Sequence, residues 1–169
     1  MEIDRSLAKS LALHQSAVDA LVARAEGVTD AAWFAPASEG KWSPAEVLAH
    51  LVCTYDTLLR ELAGGQGMAI RTKRWQRWLL RLTILPRILA GGEFPRGAVA
   101  PRETRPTGTM GRAESLTLFR RRAAEFDEAA RAAKNGQQIT HAYFGAAKLA
   151  HGVRLCTRHI EHHAARLAG

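Results

Sequence analysis

Three histidines crowd one helical turn near the C-terminal end of the chain: His159, His162 and His163, in the run Arg158-His-Ile-Glu-His-His. Residues four apart share a helix face, so His159 and His163 can aim two imidazoles at one point; His162, three residues from His159, offers a rival pairing. Zinc, nickel and iron sites use this His-x-x-x-His spacing when one helix supplies two ligands. His50, which follows an apolar run far upstream, would complete a three-nitrogen set from a facing helix. Three protein ligands leave positions open on an ion for water or substrate, as in catalytic rather than structural zinc sites. The plainer alternative is that each histidine is solvated or singly hydrogen-bonded. Against it, His163 falls on an apolar seam between Ile160 and Leu167, where a buried imidazole needs a partner.

Other reactive groups lie near these positions in sequence. Cys53 comes three residues after His50 and Cys156 three before His159, so each shares its histidine's helix face. Each is either a small apolar core filler or a thiol near the metal, as ligand or redox-sensitive group. Glu46, one turn before His50, can support its imidazole or complete a helix cap. His141 and Tyr143 precede the last helix and could line a pocket mouth. Glu161 falls off the ligand face, and His14 reads as a core-edge residue. No residue is singled out as catalytic.

The elements that must carry these groups read as helices, with no convincing strand. The first spans about Ile3 to Ala25, with Leu7, Leu11, Val18, Leu21 and Val22 on one face. Thr29-Asp30 can cap a single turn around Trp33. The second helix has the clearest start: Ser43 as N-cap, Pro44 at the first position and Glu46 completing a capping box, with Gly64-Gly65 as stop. The third runs from about Gly111 to Lys134. The fourth, about Ala146 to Leu167, repeats Leu149, Val153, Cys156, Ile160, His163 and Leu167 at spacings of a bundle seam. The connection between helices two and three is long for a bundle. It holds an extra amphipathic helix over Arg71 to Ala90, with Trp75, Trp78, Leu82 and Leu85 as its apolar side, then an extended loop from Gly91 to Gly108.

Composition bounds the function. At 169 residues, 47% apolar and 24% charged, the chain suits one globular domain over 1–169, with a basic helical insert at about 66–108. Between Gly64 and Thr109, nine Lys/Arg against Glu93 and Glu103 hold +7 of the formal +8 charge. A near-neutral body with one basic insert differs from a uniformly basic nucleic-acid binder, and no specific nucleic-acid partner is expected. Arg71, Arg74 and Arg77 could recognise a substrate carboxylate or phosphate, since guanidinium forks fit those groups. The plainer reading, and the leading one, is a solvated arginine face over Trp75, Trp78 and neighbours packed on the bundle; a membrane-surface contact and a homodimer face are the others. Two cysteines, an acidic N-terminus and no transmembrane run point to a cytoplasmic protein with reduced thiols.

Two stretches carry a family resemblance. Gly40-Lys-Trp-Ser-Pro-Ala-Glu-Val-Leu-Ala-His50-Leu51 resembles the second-helix signature of the DinB-like (DinB/YfiT-type) superfamily of small bacterial four-helix metal-binding proteins. His141-Ala-Tyr-Phe-Gly145, followed by His159-Ile-Glu-His-His163-Ala-Ala-Arg-Leu167, is similar to its last-helix pattern. The resemblance implies an all-α four-helix bundle with a long crossover and a helical insert between helices two and three. It implies one divalent transition metal, zinc or nickel with iron as a further option, on His50, His159 and His163, while His162 points elsewhere. It also implies that both thiols lie on one side of the metal. Relatives with known chemistry include transferases and isomerases acting on low-molecular-weight thiols, so a thiol-dependent transferase with a small-molecule substrate is the expectation. A hydrolase using metal-bound hydroxide and a non-enzymatic, stress-associated metal-binding bundle are the alternatives. Arg166 stands where many relatives have glutamine.

Overall fold

Side-chain caps start the first three helices. The computed structural model describes residues 4–36, 38–95 and 99–167; Ile3, Arg96 and the adjoining loop positions 97–98 lie outside them. Helix α1 (Arg5–Glu26) is capped by the Asp4 carboxylate, which accepts from the Ser6 N–H. The one-turn helix α2 (Asp30–Trp33) is capped by Thr29 and buries Trp33. Helix α3 (Pro44–Leu62) carries the complete Ser43/Glu46 capping box and ends before Gly64, whose φ of 88° favours a residue without a Cβ. The Glu46 carboxylate accepts from the Ser43 N–H at 2.8 Å and its Oγ–H at 3.0 Å, so the cap accounts for this residue.

The insert contributes helix α4 (Arg74–Leu89) and a single 3-10 turn, Arg102–Thr104. Helix α5 is Arg112–Ala132 and helix α6 is Leu149–Ala164. Helix α1 packs along α6, α3 along α5, and α1 also touches α5. One core fills the space between them, with Leu11, Leu21, Leu48, Leu51, Phe119, Phe126, Val153 and Ile160 almost wholly removed from water. Among the described residues, no helix is long and apolar enough to cross a membrane.

Two expectations are corrected. The stretch before α6 forms an antiparallel hairpin, β1 (Gln138–His141) and β2 (Gly145–Lys148), pairing Gln138 with Lys148 and His141 with Gly145. Ala146 and Ala147, read as the start of the last helix, are therefore strand. Long-range contacts override alanine's helical preference here. Ile139 buries against Gly152 of α6, and Thr140 donates from its N–H and Oγ–H to the Glu61 carboxylate at 2.9 and 2.6 Å.

The second correction concerns α4. Leu85 and Ile88 bury in a small cluster with Phe144 and Leu155. Trp75, Trp78 and Leu82, expected to pack on the bundle, stand 64%, 65% and 58% exposed. The helix seats its C-terminal half on α6 and the hairpin, while the apolar side of its first turns faces away.

Candidate metal centre

His50 lies on the buried stripe of α3, and His159 and His163 lie one turn apart on α6. The structure brings these three, separated by up to 113 positions, to one point. His159 Nε2 is 3.1 Å from His50 Nε2 and 3.0 Å from His163 Nε2, and one ring nitrogen from each of the three residues falls within a 4.8 Å group. Two nitrogens each about 2.1 Å from a common ion would be about 3.0–3.4 Å apart, so these spacings suit shared coordination. Among the described residues, no cysteine, aspartate or glutamate joins the group.

His50 Nδ1 lies 2.6 Å from the Thr104 carbonyl, which can only accept, so Nδ1 carries the proton and a neutral His50 turns its Nε2 lone pair toward the other rings. A neutral imidazole nitrogen is either donor or acceptor. His159 Nε2 can therefore make a linear hydrogen bond to one of its two neighbours, not to both. A cation at the centre would take all three lone pairs at once.

Burial is the first cause holding these rings neutral. It lowers the His50 pKa, which the Thr104 carbonyl partly restores. It drives His159 well below the usual histidine value, helped by His163, His50, His141 and His162. It does the same to His163, helped by His50, His162 and Arg166. Neutral imidazole is the form that binds metal.

Three residues that the sequence did not single out complete the surroundings. Thr104, 1% exposed, sits at the end of the 3-10 turn, which docks on α3 where Thr57 Oγ donates to the Glu103 carbonyl. Trp42 packs its ring 4.8 Å from that of His50 and stacks at 17° on His163. Phe94, from the insert, sits edge-on to His159 and His162. Trp42 stood in the second-helix signature without a role; a backbone carbonyl such as that of Thr104 leaves no residue-type signal.

The remaining candidates stand outside the three-nitrogen group, although the His162 ring lies edge-on to that of His163 at 5.3 Å. His162 faces Phe94, and burial with Arg166 pushes its pKa down to about 4. His141 stacks on Phe144, accepts from the Tyr143 N–H at Nδ1, and is pushed to about 4 by burial. Tyr143 donates its hydroxyl to the Val99 carbonyl. Burial and then Asp56 push the Cys53 thiol up, and burial carries Cys156 to about 12. Neither is a ready thiolate. The Arg71 N–H donates to the Ala142 carbonyl. Arg74 and Arg77 line a shallow groove of about 340 Å³ with Trp78, Arg81 and Leu82, which includes none of the histidines. A larger groove of about 600 Å³ between α3 and α5 is also remote from them; it is lined by Leu59, Leu62, Ala129 and an Arg122–Asp56 ion pair.

A sequence model of the DinB superfamily matches residues 12–167. The chain belongs to the DinB superfamily. This match spans both histidine-bearing helices and the insert of the DinB-superfamily chain. Among curated proteins, none matches it significantly. Among solved structures, it is similar to the crystal structure of the mycothiol-dependent maleylpyruvate isomerase, with a TM-score of 0.62 at 16% identity. That likeness covers 96% of this chain and 61% of the isomerase, and at this identity it is a likeness of fold.

Proposed function

We propose that His50, His159 and His163 hold one divalent transition metal ion, zinc or nickel, and that the chain is an enzyme transferring or isomerising a small molecule with the help of a low-molecular-weight thiol. The observation that carries the metal reading is the convergence of three neutral Nε2 atoms that cannot all satisfy one another by hydrogen bonding. Imidazole donors suit zinc, nickel, iron and copper, and availability selects among them. When bound, such an ion supplies Lewis acidity and lowers the pKa of a thiol or water in its open positions.

The chain's own residues have separable tasks. The Thr104 carbonyl fixes the tautomer and direction of the His50 ring. Trp42 and Phe94 pack apolar rings against the imidazoles, which favours their unprotonated form. Among the described residues the group consists of three imidazoles, which are neutral donors. The thiol reading rests on the likeness to a mycothiol-dependent isomerase.

The test is elemental analysis by inductively coupled plasma mass spectrometry on untagged protein beside a His159→Ala/His163→Ala variant. One equivalent of metal in the wild type and its loss in the variant is the expected result. The loaded protein is then assayed for consumption of mycothiol, bacillithiol or glutathione with electrophilic acceptors, and for ester and amide hydrolysis. Wild-type protein that fails to take up zinc or nickel overturns the metal reading. Metal uptake with hydrolysis and no use of thiols replaces transfer with hydrolysis.

A further inference from the structure

Helix α4 carries two apolar sides, and among the described residues one of them stands exposed. Leu85 and Ile88 anchor the helix to Phe144 and Leu155. Trp75, Trp78, Leu79 and Leu82 recur at i, i+3, i+4 and i+7, the spacing of one helical stripe, and each stands between 47% and 65% exposed. Exposed single hydrophobics are ordinary, but two tryptophans and two leucines in one stripe form a patch that marks a contact surface.

Charge says what kind of surface covers it. Between Leu62 and Gly92 there are six Lys/Arg (Arg71, Lys73, Arg74, Arg77, Arg81 and Arg87) and no acid. Among the described residues none of these six is in an ion pair. Helix α6, on which α4 rests, adds Arg154, which donates to the Leu89 carbonyl. A second copy of the chain would bring the same positive stripe, and like charges would oppose the pairing. An anionic lipid surface meets both requirements. Arginines flanking the stripe reach phosphates while tryptophan rings settle at headgroup depth, the arrangement of helices that lie in the membrane plane. The groove between Arg74, Arg77, Trp78, Arg81 and Leu82 places guanidinium groups beside apolar side chains, as a phosphate headgroup with its acyl chain requires.

We infer that α4 is a peripheral membrane anchor that seats Trp75, Trp78, Leu79 and Leu82 in the interface of an anionic bilayer. The histidine cluster lies outside this surface, so binding a vesicle and binding a metal are separable.

The test is flotation of the full chain with vesicles of phosphatidylcholine alone and with about one third phosphatidylglycerol, at low salt and at 0.5 M salt. Binding is expected to the anionic vesicles only, with a blue shift of tryptophan emission and strong weakening by salt. Trp75→Ala/Trp78→Ala should weaken it more than tenfold. Arg74→Gln/Arg81→Gln should weaken it by roughly fivefold for each charge removed. Both variants change exposed residues and should keep the wild-type circular dichroism melt and metal content. No binding to anionic vesicles, equal binding to both compositions, or a dimer in buffer that Trp75→Ala/Trp78→Ala abolishes would each overturn the proposal.

Discussion

The imidazole of His50 on α3 donates from Nδ1 to the main-chain carbonyl of Thr104, 54 residues further on, at 2.6 Å. That bond ties the histidine cluster to the connection between α3 and α5. The carbonyl is held in turn by the 3-10 geometry, with the Thr104 N–H and Oγ–H both donating to the Pro101 carbonyl. Thr104→Gly removes the side-chain bond and loosens the turn without touching a proposed ligand. We expect zinc affinity to fall roughly tenfold, at the lower end of losses seen when a ligand's supporting partner is removed. Competition against a chromogenic chelator, with helix content checked by circular dichroism, measures this.

Metal should stabilise the fold by simple linkage. At a free zinc concentration one hundred times its Kd, binding adds about 2.7 kcal/mol, roughly 5–10 °C in Tm for a chain of this size. The shift should vanish in His159→Ala. In chelator the same variant should still lose about 1–3 kcal/mol, because removing the ring leaves its one hydrogen-bond partner in the cluster unsatisfied and takes away the packing against Phe94. Thermal melts in zinc and in chelator, wild type beside variant, check both halves.

His14 gives a pH dependence that is independent of the metal. It is fully buried on α1, its Nε2 lies 2.8 Å from the Tyr55 hydroxyl, and its Nδ1 is buried without a partner among the described residues. Burial pushes its pKa down to about 4, against an opposing effect of Asp127. With the folded value below the unfolded 6.5, the unfolded chain binds more protons between those limits, so this contribution is lost as pH falls from about 6.5 toward 4. The loss from pH 7 to pH 5 is about 2 kcal/mol. His14→Gln removes it, so the stability gap between wild type and variant should narrow by about that amount. Urea titrations in chelator at the two pH values provide the comparison.

Local signals made the helices and the histidine pairing readable. The Ser43-Pro44-x-Glu46 cap depends on contacts within four residues, and His159 and His163 are linked by helical spacing alone. What escaped was decided by partners far away in sequence. The Glu61 carboxylate that receives Thr140 is 79 residues from it, and the Thr104 carbonyl belongs to a backbone that every residue shares. Trp75 and Trp78 misled for a related reason. A helical stripe of large apolar residues has the same pattern whether it faces a core or the outside, and only the seating of Leu85 and Ile88 on α6 and the hairpin decides which.

The hairpin itself supplies a last test. Ile139 of β1 lies across Gly152 of α6, and a Cβ at position 152 would overlap its side chain. Ile139 is 3% exposed and cannot swing into solvent without uncovering apolar surface. Alanine is the better helix former by about 1 kcal/mol, so propensity alone would make Gly152→Ala stabilising. Overpacking opposes this at about 1–3 kcal/mol, so we expect net destabilisation of up to about 2 kcal/mol. Ile139→Ala alone should also destabilise, through lost burial. In the double variant the new methyl group occupies vacated space, so the two costs should fall short of adding by at least about 1 kcal/mol. Chemical denaturation of the four proteins closes the cycle, and strictly additive costs would show that the hairpin does not rest on α6 through this pair.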